Sequence, residues 1–328
     1  MDWNKLMRNI RRVYISIISL VFLAIIFGTV SYAWMTLSSI NNVDGISLGA
    51  STGNELEISL DGINYSKELP AASLTELFGD IRLIDVTSVD GKNFLLGGLR
   101  AVGPAVATEH YLSFELWFQT TRPEKNIFLI NNVSDLVSYD STMNGTYVVS
   151  RGVSWVSNYD FQNGPLETDM VFKGDRDTYY ASDAIRISVN EENDQLNLLD
   201  QRSSDELKSF LFDPSGNPDR GYGLSYGAYS YFVARTRYHI WLPTTTQDVS
   251  YRLTQFDPDN PYIAVDDDSQ VATMVATEDV NISGKTIYRA KVRVNIWIEG
   301  WDADAFDSIE DDRVLIQLQF KVANLVTE

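Results

Sequence analysis

An uncharged apolar run near the start of the chain limits what the rest of the chain can become. The run extends from Val13 to Trp34 and follows Met1–Arg12, a segment with four basic residues and one acidic residue. About 20 apolar residues in a helix are long enough to cross a bilayer core of roughly 30 Å. Because basic residues before an apolar segment resist translocation, residues 1–12 are predicted to stay in the cytoplasm and residues 35–328 to be exported.

The apolar run fits two descriptions, and the sequence leaves both open. Residues 13–34 are long enough for a transmembrane helix that anchors the chain. They also resemble the apolar region of a signal peptide, because Ser31 and Ala33 place small residues before a cleavage site between Ala33 and Trp34. Both descriptions predict an extracytoplasmic, cell-surface location for the remaining chain, with a cytoplasmic N-terminus if the helix is retained.

The exported part of the chain is acidic and lacks cysteine. The formal net charge is −19, and residues 1–12 contribute +3, so residues 13–328 carry −22. This charge opposes binding to nucleic acid and to anionic lipid headgroups. Without cysteine the chain can form neither disulfides nor thiolate metal sites, so apolar burial and β pairing must stabilise it.

Alternation of apolar and polar residues predicts an all-β fold. The pattern has a period of two residues in five segments: Leu56–Leu60, Leu112–Gln119, Ile185–Val189, Lys291–Ile298 and Val314–Val322. Tight turns are expected at Asp61-Gly62, Asp90-Gly91, Asn144-Gly145 and Asn163-Gly164. Short helices are expected at Ser73–Phe78 and Ser203–Phe212. Residues 35–328 are therefore predicted to form a jelly-roll-like antiparallel β-sandwich with a few short helices, preceded by the N-terminal transmembrane or signal helix.

Three short segments carry a resemblance to a family. Ser31–Ser38 (SYAWMTLS) and Asp44–Leu48 (DGISL) resemble the export junction and first strand of the TasA/camelysin group of Gram-positive proteins, which a dedicated signal peptidase releases. The first of these and Trp297–Asp304 (WIEGWDAD) also resemble a wider set of uncharacterised Firmicute surface proteins. The resemblance implies a jelly-roll subunit of matrix fibres or surface filaments, in which a freed N-terminal segment completes the sheet of a neighbour. The alternative is that this segment forms the first strand of its own domain.

The sequence contains few of the motifs that carry catalysis. Its two histidines, His110 and His239, lie in strand-like segments and are interpreted as structural. It has no nucleophile elbow, zinc-protease motif or phosphate-binding loop. We therefore predict that the protein is not an enzyme, although an acidic chain offers many carboxylate pairs for a glycosidase.

Two acidic clusters are candidate Ca²⁺ sites. Carboxylates brought together repel one another, and Ca²⁺ would relieve that repulsion with oxygen ligands. The alternative is a solvated acidic loop. The candidate ligands are Asp257, Asp259, Asp266, Asp267 and Asp268 in one loop, and Asp302, Asp304 and Asp307 after a strand.

Aromatic residues are most concentrated between Tyr222 and Trp241. Tyr229, Tyr231 and Val233 share one face if the segment is a strand, which favours core packing. Exposed rings would instead stack on sugars. The candidates for a glycan or partner surface are Tyr222, Tyr226, Trp297 and Trp301, of which Trp297 lies on the polar face of its strand.

The leading functional hypothesis is an extracellular structural protein, a cell-surface or matrix filament subunit of a Gram-positive bacterium. A membrane-tethered carbohydrate-binding or adhesive module is the alternative, and a secreted glycosidase is a third. The expected partners are the membrane, if the helix is not cleaved, and further copies of the chain or other surface proteins. Nucleic acid is not expected as a partner.

Overall fold

The computed structural model describes residues 15–22, 41–51, 56–72, 74, 81–99 and 103–326. The chain divides into two compact units, Met1–Ser38 and Ser39–Glu328. In the first unit, residues 15–22 are helical. Most of the predicted 13–34 helix lies outside the described residues, as do Ala33 and Trp34. Within the described ranges no helix is both long and apolar enough to cross a membrane.

The second unit is built mainly of strands. Helices are few in its described part: residues 71, 72 and 74 are helical, α1 spans Ala228–Thr236, and 3₁₀ turns lie at Ser134–Leu136, Ala181–Ala184, Ser204–Glu206, Pro218–Arg220 and Asp307–Ile309. The strands are β1 (Asn41–Ala50), β2 (Glu57–Ser59), β3 (Glu68–Leu69), β4 (Ile81–Leu83), β5 (Asp85–Thr87), β6 (Leu95–Leu96), β7 (Gly103–Pro104), β8 (Leu112–Thr120), β9 (Asn126–Leu129), β10 (Tyr147–Ser150), β11 (Val153–Val156), β12 (Phe161–Gln162), β13 (Met170–Val171), β14 (Arg176–Tyr179), β15 (Ile185–Glu192), β16 (Ser209–Phe212), β17 (Ile263–Ala264), β18 (Gln270–Thr273), β19 (Val275–Val280), β20 (Thr286–Glu299) and β21 (Arg313–Leu325).

Two large sheets form the sandwich. The first has the order β18-β9-β21-β1-β3, with β10 and β17 also paired to β21 and β4 to β1. The second has the order β16-β15-β20-β5-β6-β7, with β8 and β19 also paired to β20 and β2 to β8. Two small two-stranded sheets, β11-β14 and β12-β13, lie outside these sheets.

The main core lies between the two large sheets. Phe118 on β8 meets Phe320 on β21 edge to face, with ring centroids 5.0 Å apart. Apolar side chains of both sheets belong to the same buried cluster, among them Ile46, Leu116 and Ile316. The alternation in the sequence places these residues on the inner faces, since successive side chains of a strand point to opposite sides. The predicted all-β sandwich is confirmed.

The sandwich is mainly antiparallel, as predicted, but it also contains parallel pairs. β1 runs parallel to β21, β20 runs parallel to β5, and β17 runs parallel to β21. Parallel neighbours need a long connection, which the intervening chain supplies in each case. The first and last long strands of the domain therefore lie side by side and point in the same direction.

Two local predictions from the sequence are wrong. Ser203–Phe212 is not a helix: a capping box between Ser203 and Glu206 closes one 3₁₀ turn, and β16 then pairs with β15. The pairing places Phe210 and Phe212 in the main core, where their rings stack. Conversely, Tyr229–Val233 belongs to helix α1 rather than to a strand. Tyr231 still packs into an aromatic cluster, so its burial is as expected although the element type is not.

Candidate functional site

A buried arginine joins the segment after β20 to the second sheet. Arg186 on β15 is fully buried, and its Nη2 lies 2.8 Å from Asp213 Oδ2 and also pairs with Asp302. Burial raises the pKa of Asp302 and of Asp213, and the Arg186 charge opposes that rise. A buried ion pair of this kind is costly to desolvate but more costly to break, because removal of one partner leaves an uncompensated charge.

Each carboxylate of the second predicted Ca²⁺ cluster pairs with its own arginine. Asp302 binds Arg186, as described above. Asp304 accepts two hydrogen bonds of 2.8 and 2.9 Å from Arg220 Nε. Asp307 pairs with Arg235 and accepts a 2.9 Å hydrogen bond from the Tyr231 hydroxyl. The three arginines come from β15, the Pro218–Arg220 turn and α1, so the segment after β20 joins three elements by charge.

Carboxylates of the first predicted Ca²⁺ cluster accept hydrogen bonds from backbone N–H groups of their own turns or pair with an arginine. Asp257 Oδ1 accepts the Asp259 N–H at 2.8 Å, Asp266 Oδ1 accepts the Asp268 N–H at 3.2 Å, and Asp268 pairs with Arg252. Asp267 is exposed. Over the residues that the structure describes, no three histidine or acidic side chains gather in a way that could hold a metal ion. The loop thus fits the alternative of a solvated acidic turn.

Glu299, at the end of β20, is another fully buried carboxylate. It accepts hydrogen bonds from Trp297 Nε1 at 3.1 Å, Gln247 Nε2 at 3.0 Å and the Trp301 N–H at 3.1 Å. Burial raises its pKa, and this rise is opposed by hydrogen bonds from Thr87, Trp297 and the Trp301 N–H and by the charge of Arg186. Trp297 is itself fully buried, with Phe94 packed edge to face at 5.1 Å. Its predicted place on a glycan or partner surface is therefore wrong.

The other predicted surface aromatics are only partly accessible. Tyr222, Tyr226 and Trp301 are half-buried. The Tyr226 hydroxyl donates to the Asp219 carbonyl, and burial raises the pKa of Tyr222 to about 12. These rings therefore make internal contacts, and the structure does not gather them into one exposed platform.

Two glycines bring backbones into direct contact beside Glu299. A Cβ added to Gly300 would lie 2.4 Å from the Cα and N atoms of Gly98. A Cβ added to Gly98 would lie 1.9 Å from the Gly300 carbonyl. Neither position can accept a side chain without movement of backbone, so this contact fixes the chain where β20 ends.

Asp183 is an acidic residue near this site whose carboxylate makes no ion pair within the described ranges. It lies in the Ala181–Ala184 turn and accepts only a long hydrogen bond of 3.4 Å from the Ser182 hydroxyl. Burial and then the charge of Asp304 raise its pKa to about 7. The charge of Asp183 therefore changes near neutral pH.

Two loops of the second unit share a short sequence pattern that alternation of apolar and polar residues does not reveal. Ser59–Asn64 (SLDGIN) and Ser88–Asn93 (SVDGKN) share the pattern Ser-x-Asp-Gly-x-Asn. In both loops the serine hydroxyl accepts the glycine N–H at 3.0 Å, and the aspartate accepts two further backbone N–H groups and the asparagine amide. Comparison of the two loops in the sequence would have predicted this common turn.

The role of Arg186 was missed because the outer face of the second sheet is not open to water at this position. The Gly91 carbonyl accepts hydrogen bonds from Ser188, Asn190 and Asn295, which cover the positions that alternation assigns to solvent. The residue types at these positions did indicate that the face is covered. Arg186 and Trp297 are register partners on neighbouring strands of that face. A large aromatic residue beside a lone arginine among small polar residues suggests a covered face.

Comparison with family models, with curated proteins and with solved structures gives no match for this chain. What the protein does must therefore be inferred from its own residues.

Proposed function

We propose that this chain is an extracellular structural protein, a subunit of cell-surface or matrix filaments of a Gram-positive bacterium. The proposal includes a transmembrane or signal helix over residues 13–34, export of the residues that follow, and a jelly-roll-like arrangement of the sandwich. Self-association is the expected interaction. The position of β1, the first strand after the apolar run, is the observation that carries the proposal.

β1 begins at Asn41, eight residues after Ala33, and is paired to the long strand β21. Within the described ranges, its other side is paired only to the short strands β3 and β4. Without β1, one side of β21 would be unpaired from Arg313 to Phe320. Such an edge accepts an added strand, and an equivalent β1 from a second copy has the matching sequence. In the single chain β1 completes its own domain; in the proposed filament the same pairing forms between copies.

Side chains along β1 define how a strand must sit in this position. Ile46 and Leu48 are buried in the main core. Ser47 Oγ donates to Gln317 Oε1 at 3.3 Å, and Asp44 accepts from the Tyr139 hydroxyl. Because a shift of one residue would turn Ile46 and Leu48 away from the core, the register is strongly specified. A strand supplied by a neighbour would make the same contacts.

The absence of cysteine permits a direct test of strand exchange. Ser47 and Gln317 are register partners, so a Ser47→Cys/Gln317→Cys variant places one disulfide between β1 and β21. The variant is produced without residues 1–33, allowed to assemble, oxidised and separated on a denaturing non-reducing gel. Exchange between copies predicts a ladder of covalent multimers.

A matched control uses a pair that exchange of β1 would not separate. Glu57 on β2 and Gln119 on β8 are register partners in the second sheet, so Glu57→Cys/Gln119→Cys should give only the monomer. Assemblies that yield only monomer with the Ser47/Gln317 pair would contradict exchange. A chain that forms no assemblies after removal of residues 1–33, while its fold is retained, would contradict the filament function. The intact mass of the native protein tests the cleavage itself, which should leave Trp34 as the first residue.

A further inference from the structure

The loop after α1 leaves two aromatic side chains in water. Trp241 is 95 % exposed and Tyr238 is 73 % exposed, and they are separated by only two residues. Burial of rings of this size is among the largest contributions a side chain makes to a fold. Both rings belong to the aromatic stretch Tyr222–Trp241, in which Tyr222 and Tyr226 are half-buried.

The loop backbone is held on both sides of these rings. The Tyr238 N–H donates to Thr236 Oγ1 at 3.2 Å, at the end of the helix. The Tyr229 hydroxyl, on the helix itself, donates to the Ile240 carbonyl at 2.8 Å. Further along the loop, Gln247 Nε2 donates to the Ser88 carbonyl at 2.6 Å. A backbone fixed in this way presents the rings without the entropy cost of ordering a loose loop.

The loop is basic, although the chain as a whole is acidic. Residues 236–247 include Arg237 and His239 and contain no aspartate or glutamate, whereas the whole chain carries −19. Both side chains are exposed, and Arg237 makes no ion pair with any other residue in the described part of the protein. This local charge complements an anionic partner and favours its approach to the loop.

The two kinds of apolar side chain in the loop are exposed to different degrees. Ile240 and Leu242 are half-buried, while Tyr238 and Trp241 project into solvent. Because the aliphatic side chains are turned inward, the apolar surface that the loop offers to a partner consists of aromatic rings. Aromatic faces alone suit a sugar ring, whose C–H faces are apolar while its hydroxyl groups stay hydrated.

We propose that Tyr238, Trp241 and Arg237 form a binding surface for an anionic polysaccharide whose sugar rings carry carboxylate groups. The rings stack on the sugars, and the Arg237 guanidinium pairs with a carboxylate in the bidentate geometry that arginine favours. This surface is separate from β1 and β21, so the inference goes beyond the filament function and does not depend on it.

The test uses Ser39–Glu328, which forms one compact unit, in buffer without detergent, and four probes. Polygalacturonate carries sugars and carboxylates, dextran carries sugars alone, polyglutamate carries carboxylates alone, and vesicles of anionic phospholipid represent a membrane. Binding is followed by tryptophan fluorescence, to which the exposed Trp241 contributes a change in emission when its indole is covered. We expect polygalacturonate to bind at least about tenfold more tightly than the other three probes, a difference of about 1.4 kcal/mol.

Variants assign the binding to the loop. Trp241→Ala and Arg237→Ala should each weaken polygalacturonate binding about tenfold, as expected for interface residues that carry binding energy, with sedimentation used where Trp241 is absent. Matched controls are Ile282→Ala and Lys285→Ala, exposed positions in the turn before β20. The control positions lie next to the first residue of β20, whereas Gln247, at the end of the loop, contacts Glu299, the last residue of β20. β20 has 14 residues, and a strand rises roughly 3.3 Å per residue. The controls therefore lie about 40 Å from Gln247.

Three results would overturn the inference. If dextran or polyglutamate bound as tightly as polygalacturonate, the surface would not require both a sugar ring and a carboxylate. Tighter binding of the vesicles would assign the loop to a lipid surface instead. Unchanged polygalacturonate binding in Trp241→Ala, with an unchanged unfolding midpoint, would place the binding elsewhere on the protein.

Discussion

Replacement of Asp183 by asparagine should change how the stability of the domain depends on pH. Burial raises the pKa of Asp183 from 3.8 to about 7. The folded protein therefore binds this proton more tightly than the unfolded chain does. The resulting stabilisation is complete below about pH 4 and is lost as the pH rises through about 7. Asparagine has the shape of the protonated acid and does not titrate.

The size of the effect follows from the shift in pKa. A rise of about three units, at 1.36 kcal/mol per unit, corresponds to about 4 kcal/mol. The Asp183 side chain is half-buried and keeps some contact with water, so we expect about half of that value. The unfolding free energy of Asp183→Asn relative to the natural protein should therefore rise by about 2 kcal/mol between about pH 4 and about pH 8.

Urea unfolding of Ser39–Glu328, followed by tryptophan fluorescence, measures this difference at each pH. Other carboxylates titrate in both proteins, so only the difference between the two curves reports on Asp183. Asp140→Asn, at an exposed position, serves as the control and should show no such trend. A difference that stays constant with pH would refute the assignment of a raised pKa to Asp183. Unequal slopes against urea would instead signal a change in the unfolded state.

Three further substitutions test the contacts of the site. Arg186→Met should cost about 3–5 kcal/mol, because it leaves buried carboxylates unpaired; a loss below about 1 kcal/mol in urea unfolding would contradict the ion pairing. Gly300→Ala should cost roughly 3 kcal/mol or more through its clash with Gly98, whereas Gly49→Ala, with nothing within 4 Å of the new Cβ, should cost less than about 1 kcal/mol by thermal unfolding. Asp90→Ala should cost about 1–2 kcal/mol, because it removes the acceptor of two backbone N–H groups; an unchanged midpoint would exclude this role.

The long strands could be predicted from the sequence because one of their faces packs on the main core. β8, β20 and β21 bury alternate apolar residues, and that alternation is visible without any knowledge of their partners. The parallel pairing of β1 with β21 could not be predicted in the same way. Their register partners are about 270 positions apart in the chain, and alternation contains no information on direction.

The roles of the acidic residues after β20 could not be predicted for a related reason. Asp302 and Asp304 are close in sequence and suggested shared ligation of a cation. Their actual partners, Arg186 and Arg220, lie more than 80 positions away. Charge density in a short segment is visible in the sequence, whereas the counter-charges depend on which elements the fold brings to the same place.

The parallel pairing of the first and last long strands determines how the domain carries mechanical load. Asn42 lies opposite Arg313 and Ala50 opposite Phe320, so the chain enters at one end of the pair and leaves β21 beyond the other end. A pull on the two ends therefore acts along the strands and across their hydrogen bonds. The eight register pairs must slide together rather than open one at a time. Tension along the chain therefore loads the hydrogen bonds between β1 and β21 in shear. A strand supplied by a neighbouring copy would resist separation in the same way.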